Sequence, residues 1–144
     1  MAGSWALYGF GMFSLIEKGT GRWVGRTGPW SPEGWPGPEI GWGVLRAAEG
    51  RGYAFEAAVA AMDWAFDVLH WDSVIHCITE GNVRSQTLAR RLGSSLSGHA
   101  VLPPPGEAEV NVWGQTRATW RAGASARAHA LVAARTSKTT DPAT

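Results

Sequence analysis

A glycine-containing turn, Glu49-Gly50-Arg51-Gly52-Tyr53-Ala54, is the segment whose residue types and spacing best suit ligand chemistry. The residues after it have a helical period, so the turn precedes a predicted helix. A helix N-terminus leaves backbone N–H groups unpaired and carries a partial positive charge, and glycine lets these groups approach an anion closely. The turn is interpreted as a phosphate cradle, with a plain tight turn as the alternative. Neither a Walker loop nor a dinucleotide fingerprint has this spacing.

His76 and Cys77 are neighbours on a predicted strand. A Cys-His pair suggests nucleophilic catalysis, but adjacent strand residues point to opposite faces and cannot pair with each other. Both are therefore interpreted as buried strand residues. Cys77 is the single cysteine, and the remaining histidines, His70, His99 and His129, lack metal-ligand spacing. We expect no disulfide within the chain and no metal site.

Hydrophobic periodicity places these residues on alternating strands and helices. The pattern predicts a hairpin, a strand that begins at Glu39, a helix after the turn, a buried strand with His76, and a short basic helix. The predicted strands cover residues 5–18, 22–28, 39–46, 72–79 and 110–113, and the predicted helices cover 53–69, 82–92 and 115–134. This order indicates an α/β or α+β domain with helices on a central sheet.

Two proline-rich segments interrupt this pattern. Residues 29–38 contain four prolines together with Trp30 and Trp35, and proline cannot donate to a ladder, so a rigid surface loop is predicted. Residues 98–107 are predicted to form a second loop. The chain reads as one domain over residues 1–134, followed by a polar tail, 135–144, that we expect to fray.

Composition excludes several classes of protein. Charged residues make up 17% and the net charge is +1, which predicts no long-range attraction for nucleic acid or an anionic membrane. No run approaches the roughly 18 apolar residues of a membrane span, and the start lacks a signal peptide. A cytoplasmic location is expected.

Nine tryptophans and nineteen glycines are unusual in 144 residues. Large rings can fill the core of a small sheet, or they can line a ligand groove. A carbohydrate-binding module would explain the tryptophans, but it would not explain the turn before the helix.

The stretch from Gly41 to Ala58 resembles the GNAT acetyltransferase superfamily, most closely its ribosomal-protein N-terminal acetyltransferases. In that family a turn of pattern Gln/Arg-x-x-Gly-x-Gly/Ala binds a pyrophosphate through main-chain amides. Gly52 and Ala54 fill the two small positions, whereas Glu49 stands where Gln or Arg is usual.

A second block, Glu80 to Gly93, resembles the family's Asn-x-x-Ser segment and the helix after it, which ends in Leu-Gly. Asn82 and Ser85 occupy the Asn and Ser positions. Many relatives carry a tyrosine general acid four residues beyond the Ser, where this chain has Ala89. A tyrosine acid at that position is therefore excluded.

The resemblance implies a mixed, mostly antiparallel sheet flanked by helices, and acetyl-coenzyme A as co-substrate. Related enzymes begin with a strand and two helices that we expect this chain to lack. An exposed sheet edge and tryptophan-rich surface would then favour a homodimer. The cofactor contacts implied by the resemblance are Val44, Leu45, Arg46, Arg51, Gly52, Tyr53, Ala54, Asn82 and Ser85.

By resemblance, Glu39 is predicted to be the general base, acting through water, with a surface glutamate near a strand end as the alternative. Ser85 is a candidate proton source for the leaving thiolate, with an ordinary serine on the face of a helix as the alternative. The main-chain N–H of Val44 or Leu45 is predicted to stabilise the oxyanion. Trp30 or Trp35 is predicted to line the acceptor pocket. The implied function is direct transfer of acetyl to a primary amine, either a protein N-terminus or a small molecule. The alternative is a non-catalytic acyl-coenzyme A-binding or regulatory module.

Overall fold

A six-stranded sheet forms the centre of the computed structural model, which describes residues 2–139. The strand order is β1-β2-β3-β4-β6-β5, and all neighbours are antiparallel except the parallel pair β3 and β4. The strands are β1 (Phe13–Ile16), β2 (Trp23–Trp30), β3 (Glu39–Val44), β4 (Ser73–Ile78), β5 (Ser95–Val101) and β6 (Glu109–Thr116). The helices are α1 (Ala2–Tyr8), α2 (Tyr53–Asp67), α3 (Val83–Arg91), α4 (Arg117–Ala122) and α5 (Ala124–Thr139).

The parallel strands β3 and β4 pair at a single described register position, Glu39 opposite Ile75. Beyond it the imidazole of His76 bridges the strands, with Nδ1 2.8 Å from the Ile40 carbonyl oxygen. The Trp42 ring lies next to it, with ring centroids 4.7 Å apart. Because side chains replace the ladder here, the two strands separate toward the carboxyl end of β3.

The main core lies between the sheet and helices α2, α3 and α4. Ile40 and Val74 contribute from the two parallel strands, and the buried face of α2 has the period of an amphipathic helix. The other buried members of this cluster are Phe55, Ala58, Val59, Ala61, Met62, Ala65, Phe66, Leu88, Leu92 and Trp120. The predicted mixed sheet with flanking helices is therefore confirmed.

The first predicted strand is wrong in its N-terminal part, because Ala2–Tyr8 is helical and β1 begins at Phe13. The helix places the Trp5 ring against Phe13 and Trp64, with centroids 5.4 and 6.1 Å away. It ends at Gly9, whose φ of 73° suits a left-handed helix end. This aromatic packing is tertiary, and a seven-residue segment carries little periodicity of its own.

The predicted proline-rich loop is too long by two residues, because Pro29 and Trp30 belong to β2 and pair with Ile40 and Glu39. Strand β1 begins at Phe13, opposite Thr27, and does not pair with the later residues of β2. At Pro29 the strand therefore has one neighbour, which is the edge setting that tolerates proline.

The C-terminal third differs most from the sequence prediction. Residues 98–101, predicted as loop, complete β5, and the predicted last helix is divided at Gly123 into α4 and α5. Residues 135–139 of the predicted frayed tail continue α5, and residues 140–144 lie outside the described part of the chain. None of the described helices is both long and apolar enough to cross a membrane. The homodimer stays a prediction.

Candidate active site

A cleft of about 540 Å³ opens beside the carboxyl end of β3, where β3 and β4 separate. One wall is the end of β3 and the turn before α2, and the other is the first turns of α3. The lining residues are Trp42, Gly43, Val44, Ala48, Glu49, Gly50, Gly52, Tyr53, Ala54, Phe55, Asn82, Val83, Arg84, Ser85, Thr87, Leu88 and Arg91.

The turn before α2 presents backbone to this cleft. Gly50 and Gly52 have φ of 78° and 77°, in the left-handed region that favours glycine. Gly52 is the N-cap of the fifteen-residue α2 and supplies no side-chain hydrogen bond to the first N–H groups of the helix. These amides and the positive end of the helix dipole make the turn suitable for an anion such as a diphosphate.

The opposite wall is set by the N-terminus of α3. Asn82 caps this helix, its Oδ1 accepting from the Ser85 N–H at 3.2 Å. The Ser85 Oγ accepts a hydrogen bond from Trp42 Nε1, also at 3.2 Å. The indole N–H therefore holds the Ser85 hydroxyl oxygen at the cleft.

Six of the predicted cofactor contacts line the cleft: Val44, Gly52, Tyr53, Ala54, Asn82 and Ser85. The other three, Leu45, Arg46 and Arg51, are not among the described lining residues. The Arg51 guanidinium instead lies 3.1 Å from the Glu17 carboxylate, which also accepts from the Tyr53 hydroxyl at 2.6 Å. This contact ties the β1–β2 turn to the start of α2.

One of the two amides predicted as an oxyanion donor is already engaged. The Leu45 N–H donates to the Val24 carbonyl oxygen at 2.8 Å, because the chain continues to pair with β2 for one residue after β3. The Leu45 N–H is therefore not available to donate to an oxyanion. The role of Val44 stays a prediction.

Glu39 lies at the opposite end of β3, three residues before Trp42, which is roughly 10 Å of extended strand. Its side chain is buried, with 7% exposed. One oxygen accepts from Trp35 Nε1 at 3.1 Å, and the other accepts from the Cys77 N–H. Burial raises the pKa of the Glu39 carboxyl, although these two hydrogen bonds oppose the shift.

Both predicted acceptor-site tryptophans lie beside Glu39. Trp30 pairs with Glu39 across the sheet, and its ring meets that of Trp35 edge to face, with centroids 6.4 Å apart. The structure therefore brings Trp30, Trp35 and Glu39 together, but it does not place them among the described residues that line the cleft.

His76 is confirmed as a buried strand residue, since 1% of it is exposed. Its Nε2 lies 2.9 Å from Ser94 Oγ, and burial lowers its pKa to about 4. Burial and the neighbouring Glu39 raise the pKa of Cys77 to about 12, so its thiol is a poor nucleophile. Among the described residues no cluster of three or more His, Cys, Asp or Glu side chains is placed to hold a metal ion.

The sequence prediction missed two contacts at the cleft. Trp42 was treated as one of many strand residues, and Arg84 received no role. Arg84 reaches across the cleft to pair with Glu49. The signal for Arg84 was its position inside the Asn82 block, two residues after the helix cap.

Comparison with known proteins agrees with this geometry. The acetyltransferase (GNAT) domain matches residues 1–95, which is about two-thirds of the 144 residues. An uncharacterised protein of Bacillus subtilis, YkkB, is 33% identical over 92 residues, which are 62% of this chain and 54% of YkkB. The chain thus spans about half the length of this curated relative.

Two solved structures extend the likeness to three dimensions. An acetyltransferase from Agrobacterium tumefaciens is similar with a TM-score of 0.69 and 32% identity, covering 79% of this chain and 65% of that one. A ribosomal-protein-S5-alanine acetyltransferase from Vibrio fischeri, 16% identical, shares the fold with a TM-score of 0.64, over 76% of this chain and 62% of that one. The family match over most of the chain, together with the separated β3 and β4 and the turn at α2, shows that the chain belongs to the GNAT acetyltransferase family.

Proposed function

We propose that this chain is an acyltransferase that binds acetyl-coenzyme A in the cleft between β3, the turn before α2 and α3. The observation that carries the proposal is the cleft itself: two helix N-termini, those of α2 and α3, converge on it beside two left-handed glycines. Acetyl-coenzyme A matches this arrangement, because backbone N–H groups could bind its diphosphate and Asn82 and Ser85 could lie beside its pantetheine part.

Bound acetyl-coenzyme A would supply an acetyl thioester. The amides of residues 52–54 would hold the diphosphate, with Asn82 and Ser85 as hydrogen-bonding partners along the second wall. Holding the acyl donor still turns a two-body collision into a positioned attack. As the bond between the acetyl carbon and sulfur breaks, Ser85 would give its hydroxyl proton to the departing thiolate and regain a proton from solvent, while Trp42 Nε1 keeps its oxygen in place.

The acceptor is a primary amine, and Glu39 is the proposed base. Its raised pKa makes Glu39 a stronger base than an ordinary carboxylate. Since Glu39 lies off the cleft and its carboxylate already accepts two hydrogen bonds, we propose that it acts through water. The edge-to-face pair Trp30 and Trp35 would flank the acceptor. A protein N-terminus and a small-molecule amine remain the two acceptor classes.

Binding of the acyl donor is tested by isothermal titration calorimetry and by thermal shift with acetyl-coenzyme A, using ATP and ADP as matched controls. Saturation at a hundred dissociation constants should stabilise the fold by about 2.7 kcal/mol. Absence of heat and of a thermal shift with acetyl-coenzyme A would refute the proposal. Thiol release in a panel of peptide and small-molecule amines then identifies the acceptor class.

One observation favours a second candidate, a non-catalytic acyl-coenzyme A-binding module. Ala89, at the position of the family's tyrosine acid, is fully buried against Ile78 and Trp113, so this part of α3 offers no proton donor. Tight binding of coenzyme A without thiol release across the amine panel would support this candidate over the enzyme.

A further inference from the structure

An ion pair spans the mouth of the candidate cofactor cleft. Glu49 belongs to the turn before α2, Arg84 belongs to the first turn of α3, and the Arg84 Nη1 contacts the Glu49 carboxylate. Both residues line the cleft. They are 35 positions apart in the sequence, so the pair joins the two walls instead of stabilising one helix.

The charges around the cleft are unequal. Of the described residues that line it, Glu49 is the acidic one, while Arg84 and Arg91 are basic. The Arg91 guanidinium stacks over the Phe55 ring at 4.3 Å, so its position is held by packing. Arg84 is held chiefly by a carboxylate, and its side chain is 66% exposed.

A carboxylate and a phosphate bind guanidinium in the same way, through charge-assisted and often bidentate hydrogen bonds. Glu49 lies next to Gly50 and Gly52, whose backbone faces the cleft, and near the positive end of α2. The Glu49 carboxylate therefore makes the contact with the Arg84 guanidinium that a phosphate group in the cleft would need. An exposed ion pair adds little to stability, so the exchange of one anion for another is easy.

We propose that Arg84 is a phosphate-binding residue for coenzyme A and that Glu49 competes with the phosphate for it. The inference rests on the proposed function, because it assigns residues to the same cleft. Glu49, the residue that departs from the Gln or Arg usual in this turn, then has a role: it weakens cofactor binding.

The competition is tested by calorimetry on the full chain with coenzyme A, dephospho-coenzyme A and pantetheine. The proteins are the wild type, E49Q, R84Q and the double variant, with D67N as a matched control. Asp67 is an exposed acid at the far end of α2, so D67N removes the same charge away from the cleft. Thermal unfolding of each protein confirms that it is folded.

We expect R84Q to weaken coenzyme A binding about tenfold and E49Q to tighten it roughly threefold, with D67N unchanged. In the R84Q background, E49Q should give no gain, because the competition needs Arg84. Pantetheine, which lacks phosphates, should bind all five proteins equally. Comparing coenzyme A with its dephospho form shows whether Arg84 contacts the 3′-phosphate or the diphosphate.

The outcomes separate this inference from the proposed function. A wild type that binds no coenzyme A overturns both. If the wild type binds it but R84Q binds it equally well, or if E49Q keeps its gain in the R84Q background, the competition is overturned and the cofactor site stands. An equal gain in D67N would also overturn it, because net charge alone would then explain the effect.

Discussion

At the junction of β3 and β4, the Glu39 carboxylate accepts hydrogen bonds from Trp35 Nε1 and from the Cys77 amide. These contacts fix the orientation of the side chain, while burial raises its pKa. A base must be deprotonated to act, so the raised pKa moves the useful pH range upward. The environment of this one residue therefore sets the expected pH dependence of catalysis.

We expect kcat/KM of the wild type to fall as the pH drops through the raised pKa of Glu39, because the protonated carboxyl cannot accept a proton. E39Q should lose this acid limb and lower kcat/KM by about 100-fold or more, the usual share of general base catalysis. The matched control is E33Q, an exposed acid in the neighbouring loop. An E39Q profile with the wild-type acid limb would show that another group titrates.

Substitution of Gly52 tests whether the backbone of the turn before α2 binds the diphosphate of coenzyme A. G52A adds a side chain at a φ of 77° on a residue that lines the cleft, so we expect a loss of about 1–2 kcal/mol in stability together with weaker coenzyme A binding. Gly9 has φ of 73°, lies in open space at the end of α1, and is the matched control. G9A should show a similar shift in urea unfolding with unchanged affinity. Equal affinities for G52A and G9A would argue against the cradle.

At the scale of elements, several aromatic residues join neighbouring elements to helix α2. Trp5 and Phe13 pack on Trp64 of α2, which fixes α1 and β1 against this helix. Trp120 does the same for α4: it is 2% exposed, donates from Nε1 to Asp63 Oδ1 at 2.8 Å, and lies under the Arg127 guanidinium. Most of the tryptophan excess therefore has a packing role, and Trp30, Trp35 and Trp42 are the rings nearest the proposed chemistry.

Removal of the Trp120 ring should detach α4 from α2. W120A is expected to lower the free energy of unfolding by about 3–5 kcal/mol, and W120F by roughly 1 kcal/mol because it removes chiefly the hydrogen bond to Asp63. Trp23, 47% exposed, is the control, and W23A should change stability by less than about 0.5 kcal/mol. Chemical denaturation measures all three. A W120A loss no larger than that of W23A would contradict the packing role.

At the scale of the whole molecule, one polar network crosses the separated strands. His76 on β4 reaches the Ile40 carbonyl of β3 and the hydroxyl of Ser94, and Gln115 of β6 donates to the same hydroxyl at 2.8 Å. It replaces the ladder bonds that β3 and β4 lack beyond Ile75. The buried imidazole is neutral, since its pKa is lowered to about 4.

This network makes stability depend on pH. The unfolded chain binds a proton at His76 with a pKa of about 6.5, whereas the folded chain does so only near 4. The His76 contribution is therefore complete above about pH 6.5 and is lost as the pH falls toward 4, by on the order of 3 kcal/mol. H76F should flatten this slope in urea titrations, and H99Q, which changes an exposed histidine, should keep it. An H76F slope equal to the wild type would exclude His76 as its source.

The sequence by itself determined the class of fold and six of the residues that line the candidate cleft. Gly52 before an amphipathic helix and Asn82 before a second helix are local signals, because left-handed turns and helix caps depend on the residues at those positions. The predicted start of α2 at Tyr53 is confirmed, whereas the second helix, predicted to begin at Asn82, begins one residue later with Asn82 as its cap.

Only the tertiary structure decided the contacts between distant segments. These contacts join residues at least 4 positions apart in the sequence, and as many as 38. They are the pairing of Glu49 with Arg84, the hydrogen bonds of the buried Glu39 with Trp35 and the Cys77 amide, and the hydrogen bond from the Leu45 N–H to Val24. Such contacts depend on how the strands separate and how the helices pack, which no local pattern encodes. The turn at residues 49–54 illustrates this difference. Its glycines could be interpreted from the sequence, whereas the role proposed for Glu49 depends on its contact with Arg84, which only the tertiary structure shows.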